Sequence, residues 1–185
     1  MGPGGGRAAA RAAVRAILAA YLGRAPADIK LTAGRWGKPE LAGSPPLSFN
    51  LSHSGGLALV AVAAGGTEIG VDVEYLRPRR DLLRLAARWL PAADAEAVAA
   101  ASEEAREGAF YGAWTRYEAR VKCTGAGISG PAPGADIVAR ELPIDRGYAA
   151  AVAFDRGQTG GKEPRIEWHG ARADRSALRP PLEPT

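Results

Sequence analysis

The segment from Ile69 to Glu74, with the sequence IGVDVE, constrains the fold of this chain more than any other stretch. Its β-branched residues favour a strand, in which successive side chains point to opposite faces. Val71 and Val73 are therefore predicted to point into the core. Asp72 and Glu74 would lie together on the opposite face. Two carboxylates on one face are typical of a site for a hard cation such as Mg²⁺, which prefers oxygen ligands and keeps water or phosphate oxygens in its shell.

The length and the cysteine content limit the classes of protein to consider. A chain of 185 residues can bury one sizeable core or build two small lobes that share one. The single cysteine, Cys123, cannot form an intramolecular disulfide, which favours a reducing compartment. The sequence has no run of about 18 apolar residues and no apolar signal segment at its start. We therefore expect a cytoplasmic protein that is a monomer and makes no membrane contact.

The positive charge is concentrated at the start of the chain. The net charge is +4, and the first 55 residues carry seven basic side chains against two acidic ones. Such a surface favours an anionic partner, although a solvated face explains the charge equally well. The basic residues are Arg7, Arg11, Arg15, Arg24, Lys30, Arg35 and Lys38.

Apolar spacing and turn residues predict a mixture of short helices and strands. A first helix is expected over residues 7–22, after a flexible leader at 1–6. The apolar strand at 57–63 is separated from the acidic strand by a short turn with two glycines, which predicts a hairpin between these two strands. Further expected elements are a strand at 29–32, helices at 80–89, 92–101 and 102–123, paired strands at 137–142 and 148–154, and an irregular or disordered tail at 157–185.

The third of the later helices carries a polar stripe. Trp114, Glu118 and Lys122 are spaced four residues apart, so they lie along one helix face. Taken alone, this pattern indicates a packed ring beside an exposed ion pair. Considered with Asp72 and Glu74, the acid at Glu118 is more informative than this pattern alone.

Four stretches, in order along the chain, resemble the Sfp-type 4′-phosphopantetheinyl transferases. They are GKP at 37–39, FNLSHS at 49–54, GVDVE at 70–74 and WTRYEARVK at 114–122, with Gly125 and Gly127 after the last. The resemblance covers residues 11 to about 154. It implies an α+β fold of two lobes related by pseudo-twofold symmetry, each a small antiparallel sheet packed on a helix, with the active site in the cleft between them. The lobes would be residues 7–75, without the family's first strand, and 76–156.

The resemblance also implies an activity and a set of site residues. The activity is transfer of the phosphopantetheine arm of coenzyme A to a serine of an apo acyl or peptidyl carrier protein, with release of 3′,5′-ADP. By matched position, Asp72, Glu74 and Glu118 would hold Mg²⁺ against the pyrophosphate of the coenzyme. Lys122 would contact that pyrophosphate, and Glu118, directly or through a water, would accept the serine proton. The remaining coenzyme-binding candidates are Arg11, Lys38, Pro39, Ser52 and His53.

Some of these positions have an ordinary alternative. Arg11 and Lys38 could be solvated surface charges, and a lone histidine such as His53 is more often a hydrogen-bonded structural group than a ligand. Tyr117 stands where the family commonly has a lysine, so charge support is missing there. After the acidic strand, a group of arginines that includes Arg79 and Arg80 could steer an acidic carrier.

Three other functions are compatible with parts of the pattern. Water in place of the carrier serine would make the protein a pyrophosphohydrolase. A relative that binds coenzyme A without catalysis is favoured by the short segment before the first helix. A nucleic-acid-binding module suits the basic start of the chain, but the three acids converge where a nucleic-acid groove would be positive, and no stacking aromatic platform accompanies the arginines. Phosphopantetheinyl transfer accounts for the most motifs.

Overall fold

The computed structural model describes residues 3–43 and 46–169 and has an α+β fold, as predicted. In these residues the helices are Pro3–Leu22 (α1), Leu82–Trp89 (α2), Ala92–Ala100 (α3) and Glu103–Thr124 (α4). The strands are Leu31–Ala33 (β1), Pro39–Leu41 (β2), Leu47–Ser54 (β3), Leu57–Ala64 (β4), Ile69–Tyr75 (β5), Ile137–Glu141 (β6) and Tyr148–Asp155 (β7). They form small antiparallel sheets in the orders β1-β2, β3-β4 and β5-β7-β6.

The strand pairing differs from the prediction at one point. The expected hairpin between 57–63 and the acidic strand is wrong, because β4 pairs with β3 and β5 pairs with β7. The tight turn at Gly55 and Gly56 explains this, since Gly55 has a φ of 60°, which favours glycine, and brings Ser54 directly opposite Leu57. The predicted pairing of the last two strands is confirmed by the register of β6 and β7.

The boundaries of two elements near the start of the chain also differ from the prediction. Helix α1 begins at Pro3 rather than near Arg7, so part of the predicted leader at 1–6 is helical. Proline suits the first turn of a helix because its missing N–H has no intrahelical acceptor there. The predicted strand at 29–32 is shorter and later, at β1, and follows a 3₁₀ turn over Pro26–Asp28. The part of the predicted tail at 170–185 lies outside the described residues.

Helix α4 has the clearest local signals. The Ser102 side chain accepts a hydrogen bond from the backbone N–H of Ala105, which satisfies one of the free donors of the first turn. At the other end, Gly125 adopts a φ of 70° and its N–H bonds to the carbonyl of Val121. These caps fix the length of the helix and therefore the positions of the side chains along it.

Apolar contacts place α1 and α4 on different sheets. Val14 and Leu18 of α1 are buried in one cluster with Phe49 of β3. Ala119 and Cys123 of α4 are buried with alanines of β7 in another, and α2 and α3 pack against the opposite side of α4. No helix within the described residues is long and apolar enough to cross a membrane. Strand β5 therefore lies where the β3-β4 sheet meets α4, since it contacts all three elements.

Candidate active site between β3, β5 and α4

A glycine sets the distance between β5 and α4. A Cβ atom placed on Gly70 would lie 2.1 Å from the carbonyl oxygen of Ala119 and 2.4 Å from the backbone nitrogen of Cys123. Both atoms belong to the helix backbone, so only glycine permits this close approach. Because strand side chains alternate, Asp72 and Glu74 lie on the same face of β5 and are directed towards α4. Val71 and Val73 are fully buried, as predicted.

The other edge of β5 is joined to β3 by side chains rather than by a backbone ladder. Three polar side chains at alternate positions of β3 accept hydrogen bonds from three N–H groups at alternate positions of β5. The pairs are Asn50 Oδ1 with Val71 N–H (2.9 Å), Ser52 Oγ with Val73 N–H (3.3 Å) and Ser54 Oγ with Tyr75 N–H (3.1 Å). We call Asn50, Ser52 and Ser54 the polar seam. The sequence analysis did not predict the seam, although its signal is visible as polar residues at every second position of 50–54.

Asp72 is the most buried charged group of the site. Its Oδ1 atom accepts hydrogen bonds from Lys122 Nζ at 2.6 Å and from Ser52 Oγ at 2.9 Å, and Lys122 Nζ also lies 2.9 Å from Ser52 Oγ. The other oxygen, Oδ2, is buried and has no hydrogen-bond partner among the described residues. An unpaired buried carboxylate oxygen is costly, so Oδ2 is available to a further donor or to a cation.

The two glutamates lie close enough to Asp72 for their charges to interact. Burial raises the pKa of Glu74; the hydrogen bond donated by Ser54 Oγ at 2.8 Å opposes that rise, and the charge of Asp72 adds to it. Burial also raises the pKa of Glu118, and Asp72 again adds to the rise while Lys122 opposes it. The structure therefore brings Asp72, Glu74, Glu118 and Lys122 into one electrostatic neighbourhood.

The three predicted metal ligands do not form a preformed metal site. Within residues 3–43 and 46–169, no group of three or more histidine, cysteine, aspartate or glutamate side chains is placed to hold a metal ion. The donor chemistry nevertheless suits Mg²⁺, which commonly takes only one or two protein carboxylates. The unpaired Oδ2 of Asp72 supplies one such oxygen. The residues therefore fit a magnesium ion that takes Oδ2 of Asp72 as one of its ligands.

The coenzyme-binding candidates outside this neighbourhood have varied surroundings. Lys38 Nζ donates to the carbonyl of Cys123 at 2.9 Å and to Glu68 Oε2 at 2.8 Å, and only 11% of its side chain is exposed. It therefore ties the β1-β2 turn to the carboxyl end of α4, where the helix dipole favours a cation. Pro39 begins β2 and is half-buried, His53 is exposed between two seam serines, and Arg11 is exposed on α1.

The aromatic residues of α4 belong to the core. Trp114 stacks on Phe110, with ring centroids 5.8 Å apart and an interplanar angle of 22°. Tyr117 packs against the same apolar cluster. The tryptophan of the polar stripe is thus a packed ring, and Tyr117 adds apolar contact where a lysine would add charge.

Two cavities lie away from the carboxylates in the described part of the chain. The smaller, of about 180 Å³, lies between α3 and α4 beside Arg116, which pairs with Asp94 and Glu141. The larger, of about 410 Å³, follows β5 and is lined by Arg79, Arg80 and Leu83 together with residues of the first turns of α4. Neither cavity is lined by Asp72, Glu74 or Glu118.

Comparison with known proteins defines the family. The model of the 4′-phosphopantetheinyl transferase superfamily matches residues 68–175. The 4′-phosphopantetheinyl transferase HetI of Nostoc sp. is 41% identical over 124 residues, which is 65% of this chain and 52% of HetI. A putative 4′-phosphopantetheinyl transferase of Synechocystis sp. is 38% identical over 122 residues (65% and 49%), and a 4′-phosphopantetheinyl transferase of Bacillus subtilis is 30% identical over 118 (64% and 51%).

The chain belongs to the 4′-phosphopantetheinyl transferase superfamily, which confirms the resemblance found in the sequence. The matched region contains both β5 and α4, and therefore all three carboxylates and Lys122. The chain spans about half the length of these curated relatives.

Proposed function

We propose that this chain transfers the 4′-phosphopantetheine arm of coenzyme A to a serine of an apo acyl or peptidyl carrier protein. One observation supports the proposal beyond family membership. Asp72 is buried, holds Lys122 Nζ at 2.6 Å and keeps one oxygen unpaired, with Glu74 and Glu118 nearby. This arrangement offers oxygen ligands and a cation side by side, which a reaction at a pyrophosphate requires.

The transfer breaks one P–O bond and forms another. The serine oxygen attacks the β-phosphorus of coenzyme A, the bond from that phosphorus to the bridging oxygen breaks, and 3′,5′-ADP leaves. Asp72, Glu74 and Glu118 would supply the ligands of a magnesium ion. When bound, this ion contributes Lewis-acid stabilisation of the pyrophosphate charge.

The chain's own residues carry the remaining steps. Lys122 Nζ neutralises the charge that develops on the leaving group. Glu118 takes the serine proton, directly or through a water.

The other coenzyme contacts follow the family pattern. Ser52 would bind a phosphate group alongside Lys122, with which it shares a hydrogen bond of 2.9 Å. His53 would bind phosphate from its exposed position on β3. Arg11 would reach the 3′-phosphate, and Lys38 and Pro39 would lie beside the adenine nucleotide. Lys38 then exchanges its bond to Glu68 for one to the coenzyme, since both acceptors are anionic.

The carrier is proposed to dock beside the end of β5. Arg79 and Arg80 line the larger cavity there, and an acidic carrier would be attracted to them. Arg79 pairs with Asp81 at 3.0 Å and holds the pKa of that carboxyl at about 2, so the carrier competes with an internal acid. Carriers of fatty-acid, polyketide and peptide synthesis are equally compatible. We place the reaction in the cytoplasm, where the unpaired Cys123 stays reduced.

The docking proposal predicts a selective kinetic defect. Charge reversal at Arg79 and Arg80 together should raise the apparent KM for the carrier roughly 10-fold or more, because it removes the steering charge next to the site. The KM for coenzyme A should stay close to that of the wild type. Steady-state kinetics with each substrate varied in turn measures both constants. Equal changes in the two constants would contradict docking at this position.

The decisive experiment for the activity is a mass measurement. The chain is incubated with Mg²⁺, coenzyme A and apo carrier, and the carrier is expected to gain the mass of one phosphopantetheine arm. Asp72→Asn should reduce kcat/KM at least about 100-fold, since it removes a charged ligand and the partner of Lys122. Asp94→Asn, a partly exposed acid beside the smaller cavity, is the matched control and should transfer normally.

Other outcomes would contradict the transfer. Coenzyme A binding with no mass gain on several carriers indicates an inactive relative. Release of phosphopantetheine and 3′,5′-ADP without a carrier indicates a pyrophosphohydrolase. Full activity of Asp72→Asn would remove the basis of the proposed site.

A further inference from the structure

Ser54 makes two hydrogen bonds at the edge of the proposed site. Its Oγ atom lies 3.1 Å from the backbone nitrogen of Tyr75 and 2.8 Å from Glu74 Oε2. A serine hydroxyl has one proton to donate and two lone pairs that accept. Because the N–H of Tyr75 can only donate, Ser54 accepts that bond, and its own proton is directed to the carboxylate. The backbone of β5 thus orients the hydroxyl that holds Glu74.

Ser52 repeats the same arrangement two residues earlier. It accepts the N–H of Val73 and donates to Asp72 Oδ1. In both cases the serine bonds the N–H of one residue and the carboxylate of the residue before it. Asn50 continues the pattern only in part: it accepts the N–H of Val71, and the preceding residue, Gly70, has no side chain to hold. The polar seam therefore contains one residue with a purely structural role, Asn50, and two residues, Ser52 and Ser54, that each also contact a carboxylate.

We infer that Ser54 is a positioning residue for Glu74 and determines the affinity of the site for its divalent cation. This inference rests on the proposed function, in which Glu74 is a metal ligand. The bond from Ser54 fixes Oε2 and restricts the rotamers of Glu74, so less conformational freedom is lost when a cation binds. Hydrogen bonds to ligating carboxylates commonly change metal affinity by about 10- to 100-fold.

The test measures binding of Mn²⁺ to the full chain by electron paramagnetic resonance, with saturating coenzyme A and a blank without protein. Ser54→Ala is expected to weaken Mn²⁺ binding roughly 10- to 100-fold. Ser54→Thr keeps the hydroxyl and should restore the affinity to within a few-fold of the wild type. In turnover, Ser54→Ala should raise the apparent KM for Mg²⁺ and leave kcat at saturating metal nearly unchanged.

Two control substitutions on β3 distinguish a positioning role of Ser54 from a purely structural one. Asn50→Ala removes a buried seam bond that touches no carboxylate, so it should lower Tm more than Ser54→Ala and leave the Mn²⁺ affinity within a few-fold of the wild type. Ser48 lies on the same side of β3 and is half-buried like Ser54, but its hydroxyl makes no hydrogen bond to a described residue. Ser48→Ala should change neither Tm nor affinity.

A double-mutant cycle completes the design. In a Glu74→Gln background, Ser54→Ala should cause no further loss of Mn²⁺ affinity, because the carboxylate through which Ser54 acts is gone. Equal losses in both backgrounds would overturn the inference. So would wild-type affinity in Ser54→Ala, or an equal loss in Asn50→Ala. A wild-type protein that binds no Mn²⁺ would instead overturn the proposed metal site itself.

Discussion

The two edges of β5 are held in different ways. Along one edge, backbone groups pair with β7 over seven residue pairs, from Ile69 opposite Phe154 to Tyr75 opposite Tyr148. Along the other edge, the polar seam of β3 meets the N–H groups with side chains. Backbone pairing needs only residues that suit a strand, whereas a side-chain seam needs acceptors of the right length at every second position.

The two edges have different roles in forming the candidate site. The β7 edge fixes where β5 lies, and it leaves the carboxylates free to rotate. The seam edge uses the same serines to satisfy the backbone and to orient Asp72 and Glu74. One edge thus provides the scaffold, and the other provides the direction of the charged groups.

The largest effect should come from Gly70, because a side chain there would collide with the backbone of α4, which packs on the face of β5 between these two edges. Gly70→Ala places a Cβ 2.1 Å from the carbonyl oxygen of Ala119, and helix backbone cannot move away cheaply. We expect a loss of about 2–4 kcal/mol in the free energy of unfolding and a matching loss of activity as α4 shifts from β5. Denaturant unfolding measures the first quantity.

Gly108 is the matched control for that experiment. It lies on α4, where an added Cβ meets no atom within 4 Å. Gly108→Ala should stabilise the protein by about 0.5–1 kcal/mol, since alanine is the better helix former. A Gly70→Ala variant as stable as the wild type would show that α4 and β5 are less closely coupled than the structure indicates.

A smaller and more selective effect is expected at Ser52, which acts only on the seam edge. Ser52→Ala removes the acceptor of the Val73 N–H and one partner each of Asp72 and Lys122. We expect a loss of about 1–3 kcal/mol in the free energy of unfolding, because buried groups are left unpaired. Ser48→Ala on the same strand should change stability by less than about 0.5 kcal/mol. Equal values for the two variants, from denaturant unfolding, would contradict a special role of the seam.

The same two edges show what the sequence could predict. The alternation of Val71 and Val73 with the acids identified β5 and its faces, and Gly125 marked the end of α4. These signals are local, because strand period and helix caps depend on neighbouring residues. The wrong prediction of a hairpin between β4 and β5 also came from a local signal. The turn at Gly55 is tighter than the one after β4, and β4 therefore pairs with β3.

The contacts that build the site are not local. Ser52 and Asp72 are 20 residues apart, Lys122 and Asp72 are 50 apart, and Lys38 reaches the carbonyl of Cys123 across 85. No periodicity links residues at such distances, so spacing alone could not predict these bonds. The family resemblance did bring Asp72, Glu74, Glu118 and Lys122 together, because it carries the fold with it. It assigned Ser52 and Lys38 to the coenzyme, and their internal partners were found only in the structure.

The smallest expected effect concerns Glu118, the carboxylate that makes no hydrogen bond with the polar seam. Glu118 lies on α4. Burial is the main cause that raises the pKa of its carboxyl above the value in the unfolded chain, and the charge of Asp72 adds to the rise. The ionised carboxylate therefore destabilises the folded state. This destabilisation is complete at pH values above the pKa of the folded state and absent below the pKa of the unfolded chain. Without divalent cation, Glu118→Gln should raise Tm at about pH 8, and the gain should vanish near pH 4 as the wild-type carboxyl is protonated.

Glu104 gives a control of the opposite sign for that measurement. It lies in the first turn of α4, where its own backbone N–H and then Ser102 lower its pKa. Its ionised form therefore stabilises the folded state above the unfolded pKa, and this contribution is lost as the pH falls through the folded pKa. Glu104→Gln should lower Tm at about pH 8 and have no effect in strong acid, below both pKa values. Thermal melts of the two variants across this pH range should diverge in opposite directions from the wild type. Parallel curves would contradict a raised pKa of Glu118 in the folded chain.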